Sequence, residues 1–317
     1  MKTSTKRLTA LAAVLIASAA FIPGAQAAYP EKPVSVIVPF GAGGGFDQMV
    51  RALMPKVEKI LGVPVAIKNN PGSGGRRGAI VVHKSKPDGY TIGLTFFTPF
   101  LVDEYVHNKK PAIDYRKFEV IYKTSHSRHF LYVAKGGKFQ SLKDFESAQR
   151  PIKFVTTGIG SSSWLAAEAL AVQVGYKTQF LSGYKTLSAA ALGVGRGDAD
   201  AGFGAIHHFG GMSEHVKPLV YMGIKREAHY PDVPTAAELG YPKSKALGGI
   251  HVFSAPPGTP KDRVEVLREA LRKASRDPEF IAWGKETATD IEPTEPAGVW
   301  KEVDETVELF KLLKIKK

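Results

Sequence analysis

Four glycines crowd positions 41–45 in the run PFGAGGGFDQMVR (39–51), where an apolar stretch gives way to an amphipathic one. Glycine lets a backbone turn tightly and point unpaired N–H groups inward, and a helix beginning near Phe46 adds its positive dipole end. Such a cup suits a carboxylate as well as a phosphate, or it simply joins a strand to a helix. A dinucleotide fails on spacing. The G-x-G-x-x-G pattern needs glycine where Phe46 stands, and the next strand ends in Lys68-Asn69-Asn70 with no acidic residue. The Gly-Lys-Ser/Thr ending of a phosphate loop is also missing. The glycine-and-hydroxyl turn recurs at NNPGSGGRRG (69–78), TFFTP (95–99), TTGIGSSSW (156–164), FLSGYKTLS (180–188) and GFGAIHHFGG (202–211). All six turns fall at the C-terminal ends of expected strands, where open α/β sheets bind ligands, so they predict one cleft lined by backbone donors and hydroxyls.

Reaction chemistry is poorly represented. There is no G-x-S-x-G elbow and no H-E-x-x-H. Ser182-Gly183-Tyr184-Lys185 fits S-x-x-K by chance, without the companion motifs. His207 and His208 are adjacent, so on a strand they face opposite ways and do not chelate as a pair. Asp47 sits in a first helical turn, where a capping or dipole role outweighs that of a general base. The chain has no cysteine, which excludes disulfides and thiolate metal sites. No catalytic residue, no metal ligand and no cofactor is expected.

The elements that position these turns alternate. VSVIVPF (34–40), VPVAIKN (63–69), YTIGLTF (90–96), FEVIYKT (118–124), FLYVAK (130–135), IKFVTTG (152–158), KPLVYMGI (217–224) and GIHVFSA (249–255) read as buried strands. Between them QMVRALMPKVEKIL, with a break or offset expected at Pro55, SWLAAEALAVQVG and LSAAALGVG read as helices. The alternation predicts an α/β protein with mostly parallel sheets, and the length favours about two domains. Towards the C-terminus PKDRVEVLREALRKASRD carries Val264, Leu267 and Leu271 at helical spacing. VWKEVDETVELFKLLKI puts Val299, Val303, Val307, Phe310 and Leu313 on one face. Both stripes read as packing faces.

Residues 1–27 follow a secretory signal pattern: Lys2, Lys6 and Arg7, an Ala-rich apolar run, then a small-x-small site with cleavage expected after Ala27. The formal charge of +13, or +10 without those residues, suggests anionic partners. The basic residues are scattered without an aromatic-interleaved stripe, so no nucleic-acid partner is expected.

Several segments together resemble one family. YPEKPVSVIVPFGAGGGFDQMVR, NNPGSGGRRGA, KPDGYTIGL, GIGSSSWLAAEAL, PDVPTAAELGYP and SAPPGTPKDRVEVLREALRKASRDPEF follow the order of the solute-binding receptors of tripartite tricarboxylate transporters, the Bug family. PDVPT-x-x-E-x-G and PDGYT are the distinctive motifs. The resemblance implies a two-domain Venus-flytrap fold with an interdomain cleft. Residues 28–124 and 225–317 would form the first domain, completed by the C-terminal helices, and 125–224 the second. It implies a periplasmic, monomeric protein that binds a small organic carboxylate, whether di-, tricarboxylic or aromatic, and hands it to membrane permease subunits. An exported α/β enzyme acting on a small carboxylate and a ligand sensor for a membrane kinase are the rival functions.

By matched position the resemblance gives Phe40, Gly41, Ala42, Gly43 and Gly44 in the first loop, and Phe96, Phe97 and Thr98 after the third strand. It gives Thr157, Gly160, Ser161 and Ser162 in TTGIGSSSW, and Ser182, Gly183 and Tyr184 in FLSGYK. The chain departs from the family at Gly41-Ala42, commonly Pro-Pro, and at Phe46, often Thr or Ser. An aromatic at that position is similar to the tricarboxylate-binding branch. Trp164 replaces a usual histidine, and LSGYK replaces the common PYKG. Phe46 and Trp164 are therefore specificity candidates, and Ala205 is named beside them; two readings are open for Trp164, that it lines the pocket or packs beneath the loops.

Overall fold

The structure is a computed structural model that describes residues 29–126, 128–205, 214–223, 225–242, 249–287 and 289–313, with Leu312 and Leu313 described by backbone alone. The signal segment 1–27, the pair His207-His208 and most of the turn 202–211 lie outside the described residues.

A six-stranded sheet forms around the most apolar run of the chain. Strand β1 (Val34–Val38) lies between β2 (Val65–Asn69) and β3 (Thr91–Phe96), parallel to both. Parallel neighbours need helical crossovers. Here these are α1 (Gly45–Leu61) and α2 (Arg76–His83). A short helix α3 (Thr98–Leu101) follows and continues as a π-turn, Val102–Val106. The remaining strands are β4 (Glu119–His126), β10 (His251–Ala255) and β11 (Asp290–Thr294), giving the order β11-β4-β10-β3-β1-β2 with these added strands antiparallel. Pro293 in β11 hid that strand from a reading of pattern. It is tolerated because β11 is an edge, where a missing N–H breaks no ladder.

The second sheet comprises β5 (Phe130–Ala134), β6 (Ile152–Val155), β7 (Thr178–Leu181), β8 (Ala201–Gly204) and β9 (Val216–Tyr221), in the order β7-β6-β8-β5-β9. After α4 (Leu142–Glu146), helices α5 (Ser162–Val174) and α6 (Leu187–Gly195) carry the chain between its parallel strands. Each sheet thus joins a parallel βαβ half to an antiparallel half. The expected α/β class holds, and the parallel pairing lies in the βαβ units.

The chain crosses from the first sheet to the second between β4 and β5, and returns between β9 and β10. In the first crossing Arg128 donates to Asp290 and Glu292 of β11, at 2.8 Å each. Helix α7 (Lys261–Ala274) then packs its Val264, Leu267 and Leu271 stripe against Val50, Leu53 and Val57 of α1. Beyond α8 (Pro278–Glu286), helix α9 (Pro296–Leu313) buries Val299, Val303, Val307 and Phe310, as its spacing predicts. Full burial of each large side chain contributes about 1.5–3 kcal/mol. One expectation fails: α1 runs unbroken through Pro55. Pro55 is exposed, so its ring meets solvent and the amphipathic face keeps its register.

Candidate functional site

The first loop places the N-terminus of α1 against the second sheet's helices. Gly44 is the N-cap of α1 and offers no side-chain cap. Ser161 caps α5 and Thr186 caps α6, each accepting an N–H of its own first turn. These three helix starts meet around a cavity of ≈ 10 Å³. Phe40, Gly44, Gly45 and Phe46 line one side; Thr157, Ser162, Thr186 and Leu187 line the other. The first N–H groups of a helix have no intrahelical partner, and its dipole favours negative charge there. None of the lining side chains is ionised, so an anion would be held here by amides, hydroxyls and dipoles. Burying an anion in such a site excludes the water that competes for those donors.

The two halves touch at this point. Gly41 N–H donates to the carbonyl of Lys185 at 3.3 Å. A Cβ on Gly44 would lie 3.0 Å from the Thr186 methyl, so a side chain there would push the two halves slightly apart at this contact. Gly43 is different: its φ is +78° and a Cβ would meet open space, so it serves the turn, not the contact.

Asp47 holds the loop in shape. Its carboxylate accepts from Gly43 N–H (2.8 Å), Arg51 Nε (2.8 Å) and Asn69 Nδ2 (2.9 Å), and Asn69 also donates to Phe40 O (3.1 Å). Burial alone raises its pKa, but the hydrogen bonds from Arg51, Gly43 N–H and Asn69 outweigh it and hold the carboxyl below its ordinary range. A depressed folded pKa stabilises the fold at pH values above the unfolded one and ceases to do so as pH falls through it. Asp47→Ala is therefore expected to cost about 2 kcal/mol at neutral pH, with the gap to the unaltered protein closing below about pH 4. Urea denaturation across that range measures it; a pH-independent gap would show that the charge is not what matters.

An aromatic cluster backs the first loop. Phe46 stacks on Phe40 (5.3 Å between centroids) and meets Phe96 (4.8 Å) and His251 (5.0 Å) edge-on. Phe46 therefore forms both the wall of the cavity and part of the core. Phe96 lies in the same cluster, one layer behind. Phe97 instead faces the core, stacking on Trp300 (5.5 Å) and Phe118 (6.0 Å). The Thr98 hydroxyl is buried and accepts from Ile250 N–H (2.9 Å), tying the start of α3 to the chain entering β10.

In the second half, the Ser161 hydroxyl is buried among Thr156 (2.8 Å) and Ser163 (3.0 Å), while Thr157 and Ser162 border the cavity. Gly160 lies against the Arg76 guanidinium. Ser182 and Gly183 are exposed, as are Ala42 and Gly43. The Tyr184 hydroxyl donates to Asp198 (3.1 Å), so this stretch of the loop is not part of the cavity wall. Ala205 is buried at the end of β8, beside residues outside the description. Trp164 is wholly buried between the halves: it packs near His107 and Phe180 and shares a core with Leu165, Ala169, Val299 and Val303. Of its two readings, packing is the one the geometry favours.

Sequence reasoning missed Gly45, Thr186 and Leu187. The signal for Thr186 was present, because it immediately precedes the helix pattern LSAAALGVG and threonine there is an N-cap. A wider groove of ≈ 510 Å³ runs between α9 and the π-turn beside Tyr105, Trp300 and Lys311. It mixes both charges, with Arg116 and Lys311 beside Asp304 and Glu308.

The description "Tripartite tricarboxylate transporter family receptor" matches residues 49–307. Protein BugT of Bordetella pertussis is 29% identical over 299 residues, 90% of each chain. The solved periplasmic binding protein BugD superposes with a TM-score of 0.79 at 28% identity, covering 91% of this chain and 100% of that one. MatC of Rhodopseudomonas palustris, solved with bound malate, gives 0.80 at 22% identity over 90% and 100%, a likeness of fold.

Proposed function

This chain belongs to the tripartite tricarboxylate transporter receptor family, and from that premise we propose that it captures a small organic carboxylate between its lobes and delivers it to membrane permease subunits. The observation that carries the reading is the convergence of three helix starts, capped at Gly44, Ser161 and Thr186, on one cavity without an ionised lining side chain. That arrangement stabilises one buried carboxylate through charge-assisted hydrogen bonds. Phe40, Phe46 and Leu187 give the remainder of the ligand an apolar surround. A cavity of ≈ 10 Å³ admits about one water, so the lobes part to load and, around a bound carboxylate, close less far than they do here. Loaded and empty receptors then differ in shape, which a permease can read. MatC holds malate within the same fold, and a carboxylate of that size is the first to try.

We divide the lobes as 28–124 with 225–317, and 125–224; β1–β3, β10, β11 and all of β4 but its last two residues then lie in the first lobe and β5–β9 in the second. The protein acts as a periplasmic monomer.

Thermal melting against mono-, di- and tricarboxylates, aromatic ones included, tests the reading. One member at a hundred times its Kd is expected to add about 2.7 kcal/mol, a shift of several degrees. Consumption of that carboxylate over many turnovers would make the protein an enzyme instead. A panel with no stabilising member would remove the carboxylate reading.

A further inference from the structure

Arg76, at the start of α2, uses its whole guanidinium. A guanidinium has five N–H groups. Here Nε and Nη2 grip the two oxygens of Asp103 at 2.8 and 2.6 Å, and Nη2 also donates to Pro99 O at 2.8 Å. Nη1 donates to Ser73 O at 3.2 Å and to Ile159 O at 2.8 Å. Asp103, Pro99 and Ser73 lie on the same side of the cleft as Arg76. Ile159 does not: it belongs to the turn between β6 and α5, in the other half. A charged donor therefore makes a short hydrogen bond across the cleft, beside the longer neutral one from Gly41 to Lys185.

We propose that Arg76 is a positioning residue for lobe closure, setting the ratio of closed to open molecules through its bond to the Ile159 carbonyl without touching the ligand. The inference rests on the receptor reading above, in that it supposes lobes that part. Three features fit it to that role. The bidentate ion pair with Asp103 is confined to one lobe, so it survives opening and leaves no charge stranded. Opening then exchanges one carbonyl acceptor for water, a modest and reversible cost suited to a receptor that must release its cargo. Third, Gly160 next to Ile159 has φ +81°, and a Cβ there would lie 2.8 Å from Nη2. Gly160, assigned to the ligand by family resemblance, is thus explained by admitting the guanidinium.

The cation is also set aside from ligand binding. All five of its donors are committed, and Arg76 is absent from the cavity lining. Mutating it changes closure, not the anion cup.

The chain has no cysteine, so exposed Lys59→Cys and Lys177→Cys place one spin label on each half. Dipolar spectroscopy on the protein without added carboxylate reads the distance between them. Arg76→Gln is expected to lower the closed-to-open ratio about tenfold, equivalent to about 1.4 kcal/mol, and so to shift the distribution to longer distances. Arg76→Lys shifts it in the same direction, since one ammonium does not span Asp103 and Ile159 together. Asp103→Asn, which loosens the fork, gives a smaller shift and carries the test should Arg76→Gln fail to fold. A merely structural arginine would lower the melting temperature and leave the distances alone. Distributions that superimpose on the parent's in every folded variant overturn the proposal. That result leaves the receptor reading intact, whereas a carboxylate panel without a stabilising member overturns the receptor reading and leaves the distances to be judged for themselves.

Discussion

Gly44→Asp is expected to abolish carboxylate binding while leaving the fold at least as stable as before. Gly44 is the N-cap of α1 with φ −75° and ψ 162°, a conformation open to any residue. Aspartate is among the best N-cap residues, and its side chain would accept the N–H groups of the first turn. Those are the donors an incoming carboxylate would use. The new Cβ would also sit 3.0 Å from the Thr186 methyl, holding the lobes apart. Occupied donors, like-charge repulsion and a wedged cleft act together, so affinity should fall at least about 100-fold, or about 2.7 kcal/mol. Calorimetry with the carboxylate that most stabilises the parent protein measures this, with a melting curve as control. Binding within a few-fold of the parent's would show that the convergence of helix starts is not the site. Gly43 is a poorer position for such a test, because a side chain there would strain a left-handed backbone in open space.

Trp164→Ala should act on stability instead. The indole is wholly buried in the seam that joins α5 to α9 and the π-turn, and truncating a buried tryptophan costs about 3–5 kcal/mol. Trp164→Phe should cost less than the alanine variant, because the ring fills much of the space and the indole Nε1, which is buried with no hydrogen-bond partner among the described residues, is removed with it. Denaturant unfolding gives both values, and the order of preference across the carboxylate panel should be the parent's in Trp164→Phe. A phenylalanine variant of normal stability with a reordered panel would return Trp164 to the list of specificity residues.

These two residues show how far local pattern carries. Strand and helix positions were legible because burial of one face imposes a period, and turn chemistry marks the ends. All eight named strands form, and LSAAALGVG is the helix Leu187–Gly195. The glycine and serine turns were legible for the same reason. Which residue of a turn faces the cavity was not. In FLSGYKTLS the family match selects Ser182, Gly183 and Tyr184, yet the wall is built by Thr186 and Leu187, while Tyr184 turns to Asp198. The difference is a rotation of a few residues along one loop, set by the first turn of α6 and by the opposing Gly44.

Adjacent aromatics make the same point. Phe96 and Phe97 are neighbours, but successive side chains leave a strand end on opposite faces, so one joins the cluster behind the cavity and the other the core under Trp300. No local pattern tells which face will be which until the halves are packed. The insertion of β10 between β3 and β4 is likewise non-local, since those strands lie more than a hundred residues from it.

By itself, then, the sequence determined eight of the strands, the helices Gly45–Leu61, Ser162–Val174 and Leu187–Gly195, the glycine and serine turns beside them, the failure of the nucleotide fingerprint at Phe46 and the family. Each of these depends on neighbours along the chain. Only the tertiary structure decided that the helix starts capped by Gly44, Ser161 and Thr186 border one cavity, that Phe46 is both wall and core, that Trp164 fills a seam, and that Arg76 reaches Ile159. Those depend on how two separately folded sheets come together, and a contact between residues 76 and 159 leaves no period or spacing in the chain that makes it.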